Sequence, residues 1–353
     1  MLSFYQGKKV FITGGLGFIG SNLAVALARR GADVTVADSR EPACGANDFN
    51  LAEEAGRVRL LIADIGDAAR IGPALAGSDV IFNLAGEISH IHSIRFPERD
   101  LDLNVRSQLG FLESCRQAAP RARIIYASSR QVYGIPDYLP VDEQHPVRPV
   151  DFNGLHLWAA ENYHFLFSNL YGLDVACLRL TNVYGPRQAL LRPCQGFIGV
   201  FFRLALRGEK IEVFGDGRQL RDMLYVDDAV DAFLLAGATP FVQKVYNVGG
   251  APPSSLLEIA QAVARAAGGV PIECIPFPED RKPIDIGSYY SDITRIRGDL
   301  GWEPRTDFER GAAETVAFYR RFAEHYLHGP VHPLCQLETR ARQLPARVAG
   351  AAD

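Results

Sequence analysis

Residues 9–38 read KVFITGGLGFIGSNLAVALARRGADVTVAD, and the fold follows from how this stretch is punctuated. A short apolar run ends in GGLGFIG, spanning Gly14 to Gly20, which opens a helical pattern from Phe18 to Arg30. Glycines at 14, 17 and 20 permit a tight turn, let the backbone approach a pyrophosphate and let the helix pack closely on the sheet. The helix start meanwhile offers unpaired N–H groups to an anion. Asp38 closes the following strand, 18 residues past Gly20. A carboxylate there can bind both adenosine ribose hydroxyls and would repel a 2′-phosphate. Strand, glycine spacing, helix and acid in this order predict a dinucleotide site that favours NAD, with Gly14, Gly17, Phe18, Ile19 and Gly20 along the cofactor. Arg40 keeps NADP open as an alternative, because an arginine near that position can accommodate the phosphate.

Further strand candidates follow: RVRLLIAD (57–64), SDVIFNLAG (78–86), RARIIYASS (121–129) and LDVACLRL (173–180), most with helical patterns between them. This alternation predicts an α/β fold with a doubly wound parallel sheet of the Rossmann type, its strands apolar throughout because both faces are covered. After Tyr184 the rhythm changes to loops rich in Gly, Pro and Arg, with a helix expected over Phe197–Arg207, a strand in KIEVFG (210–215) and a further helix over Leu256–Ala267. DMLYVDDAVDAFLLAGA (222–238) and KVYNVGG (244–250) read as a helix and strand returning to the sheet. The expected division is a dinucleotide-binding domain of residues 1–183 and 221–250, a smaller substrate-binding lobe of 184–220 and 251–327, and a poorly ordered tail of 328–353.

The chain has 353 residues, 48% hydrophobic and 22% charged, with a formal net charge of −4. That composition supports a large core and gives no overall field to draw nucleic acid or an anionic membrane, so phosphate binding must be local. No signal-peptide pattern and no membrane-spanning run is evident, and a cytoplasmic protein is expected. Six scattered cysteines without a CxxC pair or a histidine at ligand spacing predict reduced thiols and no metal site.

Several motifs in order resemble the extended short-chain dehydrogenase/reductase family, the group containing UDP-galactose 4-epimerase and dTDP-glucose 4,6-dehydratase. GGLGFIGSNL is similar to its glycine motif, ADI (63–65) to its adenine-binding acid with Asp64 and Ile65, and NLAG (83–86) to the strand end beside the cofactor, with Leu84, Ala85 and Gly86. LNVRSQLGFLESC (103–115) places Asn104 at the family's structural Asn, and IIYASSRQVYG (124–134) resembles its active-site Ser/Thr strand. RLTNVYGPRQ, FGDGRQLRDMLYVDDAVDAF, YNVGG and LGWEPRTDFERG resemble the sugar-nucleotide lobe and its return strand. The resemblance runs from about residue 7 to 325. It implies that Ser129 hydrogen-bonds the substrate's reacting hydroxyl or ketone. It also implies that Asn182 contacts the diphosphate region, that Arg218, Arg221 and Arg281 lie near the phosphates, and that Glu87 and His90 face the substrate. A homodimer through the helices around 100–119 and 151–171 is implied as well; Phe111, Leu112, Trp158, Phe165 and Leu166 fit either that interface or the core.

One departure is decisive for mechanism. The family's helix after the Ser strand carries Tyr-x-x-x-Lys, but residues 151–163 read DFNGLHLWAAENY, which puts Asn153 and Leu157 at those places and Glu161 at the Glu that follows. The i, i+4 spacing sets Asn153 and Leu157 on one helix face, and neither can exchange a proton or supply charge. No Lys occurs between Lys9 and Lys210, and the literal match of Tyr5 to Lys9 precedes the first strand. The proton must therefore go elsewhere. His156 and Tyr133 are the first candidates, with Asn153 at the vacated position and His90 and Glu87 as alternatives. Arg130 and Gln131 occupy the places of the acidic pair that resembling dehydratases use for elimination. The expectation is an epimerase-like enzyme that transiently oxidises a nucleotide-linked sugar with bound NAD. The alternatives are a non-catalytic or non-redox NAD-binding protein on the same fold, or a 4,6-dehydratase or reductase.

Overall fold

The computed structural model describes residues 3–41, 44–191, 196–240, 244–250 and 252–328. Of the expected tail only His328 falls within them; residues 329–353 lie outside. The first half alternates strand and helix: β1 (Lys9–Thr13), α1 (Phe18–Arg29), β2 (Asp33–Asp38), β3 (Val58–Ile62), α2 (Ala68–Leu75), β4 (Val80–Asn83), α3 (His90–Arg95), α4 (Pro97–Leu101), α5 (Ser107–Ala118), β5 (Arg123–Ser129), α6 (Phe152–Tyr171) and β6 (Asp174–Leu180). The second half is built of β7 (Asn182–Tyr184), α7 (Phe197–Leu206), β8 (Ile211–Phe214), β9 (Leu220–Arg221), β10 (Met223–Tyr225), α8 (Val226–Ala238), β11 (Lys244–Val248), β12 (Ser254–Ser255), α9 (Leu256–Ala266), β13 (Ile272–Ile275), α10 (Thr294–Leu300) and α11 (Phe308–Arg321).

Seven strands form one sheet in the order β11, β6, β5, β4, β1, β2, β3, all pairs parallel. The winding reverses between β1 and β4, which opens a crevice at their carboxyl ends. Alternate side chains of β1 go to opposite faces: Val10 and Ile12 join the core under α1 and α8, while Phe11 joins the one under α2, α5 and α6. Phe11 stacks on Phe111 with centroids 6.5 Å apart. Each such fully buried side chain contributes roughly 1.5–3 kcal/mol.

A separate apolar core brings Phe201 and Phe202 of α7, Ile211 and Val213 of β8, Ile259 and Val263 of α9 and Val316 and Tyr319 of α11 together, beside the parallel pair of β8 and β13. Residues 293–302 do not join it. Ile293, Ile296 and Trp302 pack into the core of the large sheet, where the Trp302 indole N–H donates to the Asp228 carbonyl at 3.0 Å. Cys115, Cys177 and Cys274 are free thiols, and the Cys44 thiol donates to Glu87 Oε2 at 3.7 Å; Cys194 and Cys335 lie outside the described residues. Among the described residues, no helix is long and apolar enough to cross a membrane. The structure divides the apolar residues of α5 and α6: Phe111 and Leu112 are fully buried, whereas Trp158 and Leu166 are exposed alongside Leu109 and Leu155.

Buried polar groups lock the carboxyl ends of the central strands. The Thr13 hydroxyl donates to Asn83 Oδ1 at 2.8 Å and accepts from the backbone N–H of Leu84 and of Ala85, each at 3.0 Å. The Asn83 amide donates to Gln108 Oε1 at 2.6 Å and meets His164 Nε2 at 3.1 Å. His164 donates from Nδ1 to the Ala160 carbonyl at 2.8 Å, so its Nε2 lone pair is the acceptor for Asn83. Burial pushes the pKa of this histidine down to about 4. Because the unfolded chain then binds the proton more readily, the stability held by neutral His164 is complete above the ordinary histidine pKa and is lost as pH falls towards the folded value. In urea unfolding between about pH 7 and about pH 5, the wild type is expected to lose stability faster than His164→Gln, by up to about 1.4 kcal/mol per pH unit. Equal pH dependence in the two proteins would contradict this reading of His164.

Candidate active site

A cavity of about 410 Å³ lies at the switch point, lined by the carboxyl ends of β1, β2, β4 and β5 and by residues of the second half of the chain. Its floor is the glycine turn. Gly14 has φ +67°, and a Cβ on it would stand 2.8 Å from the Leu84 carbonyl oxygen; a Cβ on Gly20 would stand 2.3 Å from the Gly14 carbonyl oxygen. Only glycine admits both the turn and the close approach of α1 to it. At the start of α1 the N-cap is Gly17, with no side-chain cap and no acidic residue in the first turn. Its N–H groups are thus left for an anion.

Gly14, Gly17, Phe18, Ile19, Gly20, Asp38, Asp64, Ile65, Leu84, Ala85 and Gly86 all line this cavity. The Asp38 carboxylate accepts from Leu16 N at 2.9 Å and Arg40 N at 2.8 Å; burial raises its pKa against those two hydrogen bonds. Arg40, whose φ is +56°, turns away to pair with Asp48 at 3.0 Å and does not line the cavity. Asn104 does not line it either. It clamps the loop after β4 from both sides, accepting from Glu87 N and donating to the Glu87 carbonyl, each at 2.9 Å.

The same cavity is also lined by Ser129, Glu87, His90, Asn182 and Arg221, together with Ser128, Arg130, Gln131 and Leu157. Two of the expected phosphate ligands are absent from it. Arg218 follows a Gly-Asp-Gly turn and lies at the surface, 3.7 Å from Asp216, and the Arg281 guanidinium sits over the Phe214 ring at 5.3 Å.

The first candidates for proton transfer face elsewhere as well. Tyr133 is fully buried: its hydroxyl donates to Asn247 Oδ1 at 2.7 Å and its ring lies 4.7 Å under the Arg179 guanidinium. Burial pushes its pKa up to about 12 despite Arg179, so the phenol keeps its proton. His156 turns to Asp100, with Nδ1 at 2.6 Å from the carboxylate. Asn153, fully buried, donates to the Glu87 carbonyl at 2.7 Å and to Asp100 at 2.9 Å. Asp100 thereby holds two residues of α6 outside the cavity. Of the helix positions that resembled the Tyr–Lys pair, only Leu157 reaches the cavity, as an apolar wall. The literal match fails too, since Tyr5 is buried with its hydroxyl on the Leu234 carbonyl at 2.7 Å.

What the structure does bring to the cavity is a histidine oriented by a buried carboxylate. His90 Nδ1 hydrogen-bonds Asp151, whose side chain is only 1% exposed. Asp151 also caps α6, accepting from Gly154 N at 2.8 Å. Burial opposes the Asp151 charge, but the His90 contact outweighs it and holds the carboxyl below its usual range. An ionised Asp151 fixes the proton on Nδ1 and leaves Nε2 as the basic nitrogen.

Beneath Ser129, Ser128 donates to Glu161, and Glu161 pairs with Arg179 at 2.6 and 2.9 Å, both side chains buried. Burial works against the Arg179 charge, yet Glu161 raises its pKa above the ordinary value. In the sequence Asp151 carried no role, Arg130 stood out only as a departure from the acidic pair, and Glu161 was not joined to Arg179. The one local signal was Asp151 directly before a helical run, the usual place of an N-cap.

The model of the NAD dependent epimerase/dehydratase family matches residues 10–249. The chain is 35% identical to the UDP-glucose 4-epimerase of Mycolicibacterium smegmatis over 315 residues, covering 88% of this chain and 98% of that one. The solved structure of the UDP-glucose 4-epimerase of Thermotoga maritima with UDP-glucose matches with a TM-score of 0.80 and 29% identity, over 90% of this chain and 100% of that one. The dTDP-glucose 4,6-dehydratase of Streptomyces venezuelae, solved with NAD bound, matches with a TM-score of 0.80 and 28% identity, over 89% and 97% of the two chains. The glycine cradle, the open helix start and Asp38 fit the dinucleotide. The chain therefore belongs to the NAD-dependent epimerase/dehydratase family, and NAD is its cofactor.

Proposed function

We propose that this protein is an epimerase of nucleotide-linked sugars in which His90, oriented by Asp151, replaces the helix Tyr and Lys as the proton-transfer group. The observation that carries the reading is the His90–Asp151 pair at the same cavity as Ser129. When bound, NAD supplies transient oxidation of a ring carbinol and its reduction. The chain's own part is binding and proton movement. Asp38 and the start of α1 hold the dinucleotide; Leu157 gives its inner end an apolar wall. Asn182 and Arg221, in the cavity from the second half of the chain, hold the diphosphate, and the lobe formed by much of 184–220 and 251–327 encloses the nucleotide.

Ser129 Oγ hydrogen-bonds the reacting hydroxyl, and His90 Nε2 takes its proton as the carbinol becomes a ketone. Asp151 stabilises the imidazolium so formed. After the ketone has turned its other face, His90 returns the proton to the oxygen. A tyrosine in this task must be acidified from a pKa near 10, which is what the family's lysine serves; a histidine titrates near neutrality without such help. The loss of Lys is therefore consistent with the change of base.

Arg130 and Gln131 stand where elimination would need carboxylates, and Gln131 is tied to the Ile88 carbonyl at 3.2 Å; both observations favour epimerisation over dehydration. The exposed Leu109, Leu155, Trp158 and Leu166 on α5 and α6 support a homodimer through these helices.

His90→Ala is expected to lower kcat about 10²–10⁴-fold with the NAD content unchanged. Asp151→Asn keeps a cap acceptor but removes the charge, so kcat falls less and its pH profile shifts. Wild-type turnover in His90→Ala would rule out the proposed base. In a titration of the apoprotein, NAD should bind at least about tenfold more tightly than NADP, because Asp38 opposes a 2′-phosphate and Arg40 is engaged by Asp48. Asp38→Gly should narrow that gap, and an unchanged ratio would remove Asp38 from the cofactor site.

A further inference from the structure

Resting on that reading of the site, we infer that the sugar bound here carries a carboxylate on its ring, held by the guanidinium of Arg130. Arg130 follows Ser129 directly in the chain and lines the same cavity, so whatever it binds lies beside the reacting carbinol. Its guanidinium rests 5.1 Å over the ring of buried Tyr289, and among the described residues it forms no ion pair.

The charged groups around it are already engaged. Asp222 accepts from Thr181 Oγ1 at 2.5 Å and from Ser291 N at 3.0 Å. Asp151 is held by His90 and Gly154. Glu87 accepts from Ile88 N at 3.1 Å and Ser89 N at 3.2 Å.

The second cation of the cavity, Arg221, spends Nη1 on the Leu220 carbonyl at 2.8 Å and the Gly287 carbonyl at 2.5 Å. Burial first, and Arg130 next, lower its pKa to about 10. Burial likewise lowers that of Arg130. Two guanidiniums so placed disfavour one another and are desolvated, a cost that bound anions relieve. A diphosphate answers Arg221. With a neutral sugar Arg130 keeps only the Tyr289 ring and the charges of Asp222 and Asp151, none of them in an ion pair with it, whereas a ring carboxylate meets its planar fork through two parallel hydrogen bonds.

The test measures binding to the NAD-loaded protein by calorimetry, using UDP-glucuronate, UDP-glucose and UDP, and the dTDP counterparts of all three. The wild type should bind one glucuronate about tenfold to a hundredfold more tightly than the matching glucose. Arg130→Gln should weaken the glucuronate by that factor and the glucose and free diphosphate far less; Arg130→Lys, which keeps charge without the fork, should fall between. Equal affinity of the wild type for the two sugars would overturn the inference, as would an equal loss across all three ligands in Arg130→Gln, which would assign Arg130 to the diphosphate. If no nucleotide sugar binds the wild type, the proposed function itself fails, a result distinct from binding both sugars alike.

Discussion

The hydrogen bonds of Thr13 and Asn83 hold the molecule's functional geometry together. They join the carboxyl ends of β1 and β4, the two strands between which the sheet reverses its winding. A parallel sheet leaves the backbone beyond its strand ends without ladder partners, so a crevice there needs side chains to keep its shape. Thr13 satisfies the N–H groups of Leu84 and Ala85, and Asn83 carries the connection onward to Gln108 on α5 and His164 on α6. The glycine turn, the loop bearing Glu87 that leads to His90 at the start of α3, and the helix bearing Leu157 are in this way referred to one buried cluster. Leaving a member of such a cluster unpaired costs about 1–3 kcal/mol.

The same helix keeps its place in the scaffold while its residues at the Tyr and Lys positions are Asn153 and Leu157. Asn153 and His156 are drawn into hydrogen bonds with Asp100 and the Glu87 carbonyl, which fasten α6 to α4 and to the loop after β4. The helix retains its buried tie to the sheet through Glu161 and Arg179. In the proposed mechanism the base has moved off this helix to His90, and α6 contributes to it only through Asp151 at its N-cap. The helix then no longer carries the reacting group but orients the residue that does.

How much of this was legible in the sequence depended on distance along the chain. The sheet, its return strand and the dinucleotide cradle rest on local spacing: glycines three apart, a strand before them and an acid one strand later. Those features appear in the structure where the pattern placed them. The catalytic assignment rested on helix periodicity and residue type, which say which residues share a face but not what lies opposite. His90 and Asp151 are 61 residues apart in the chain, and Asn83 and His164 are 81 apart. His156 and Tyr133 were attractive by residue type, and only the positions of Asp100 and Asn247 show that both are engaged elsewhere. Arg218 and Arg281 are likewise placed by contacts that spacing does not reveal, Arg218 beside Asp216 after a turn and Arg281 on a short 3-10 helix over Phe214.

Everything proposed for the chemistry depends on the chain still oxidising and reducing its sugar although Tyr and Lys are missing. The most direct test follows nucleotide sugars by proton NMR in D2O with the NAD-loaded protein. Conversion to an epimer whose inverted carbon keeps its original hydrogen is the expected result, because hydride leaves to the cofactor and returns from it. Incorporation of deuterium at that carbon, or no epimer from any nucleotide sugar that binds, would contradict the proposed route.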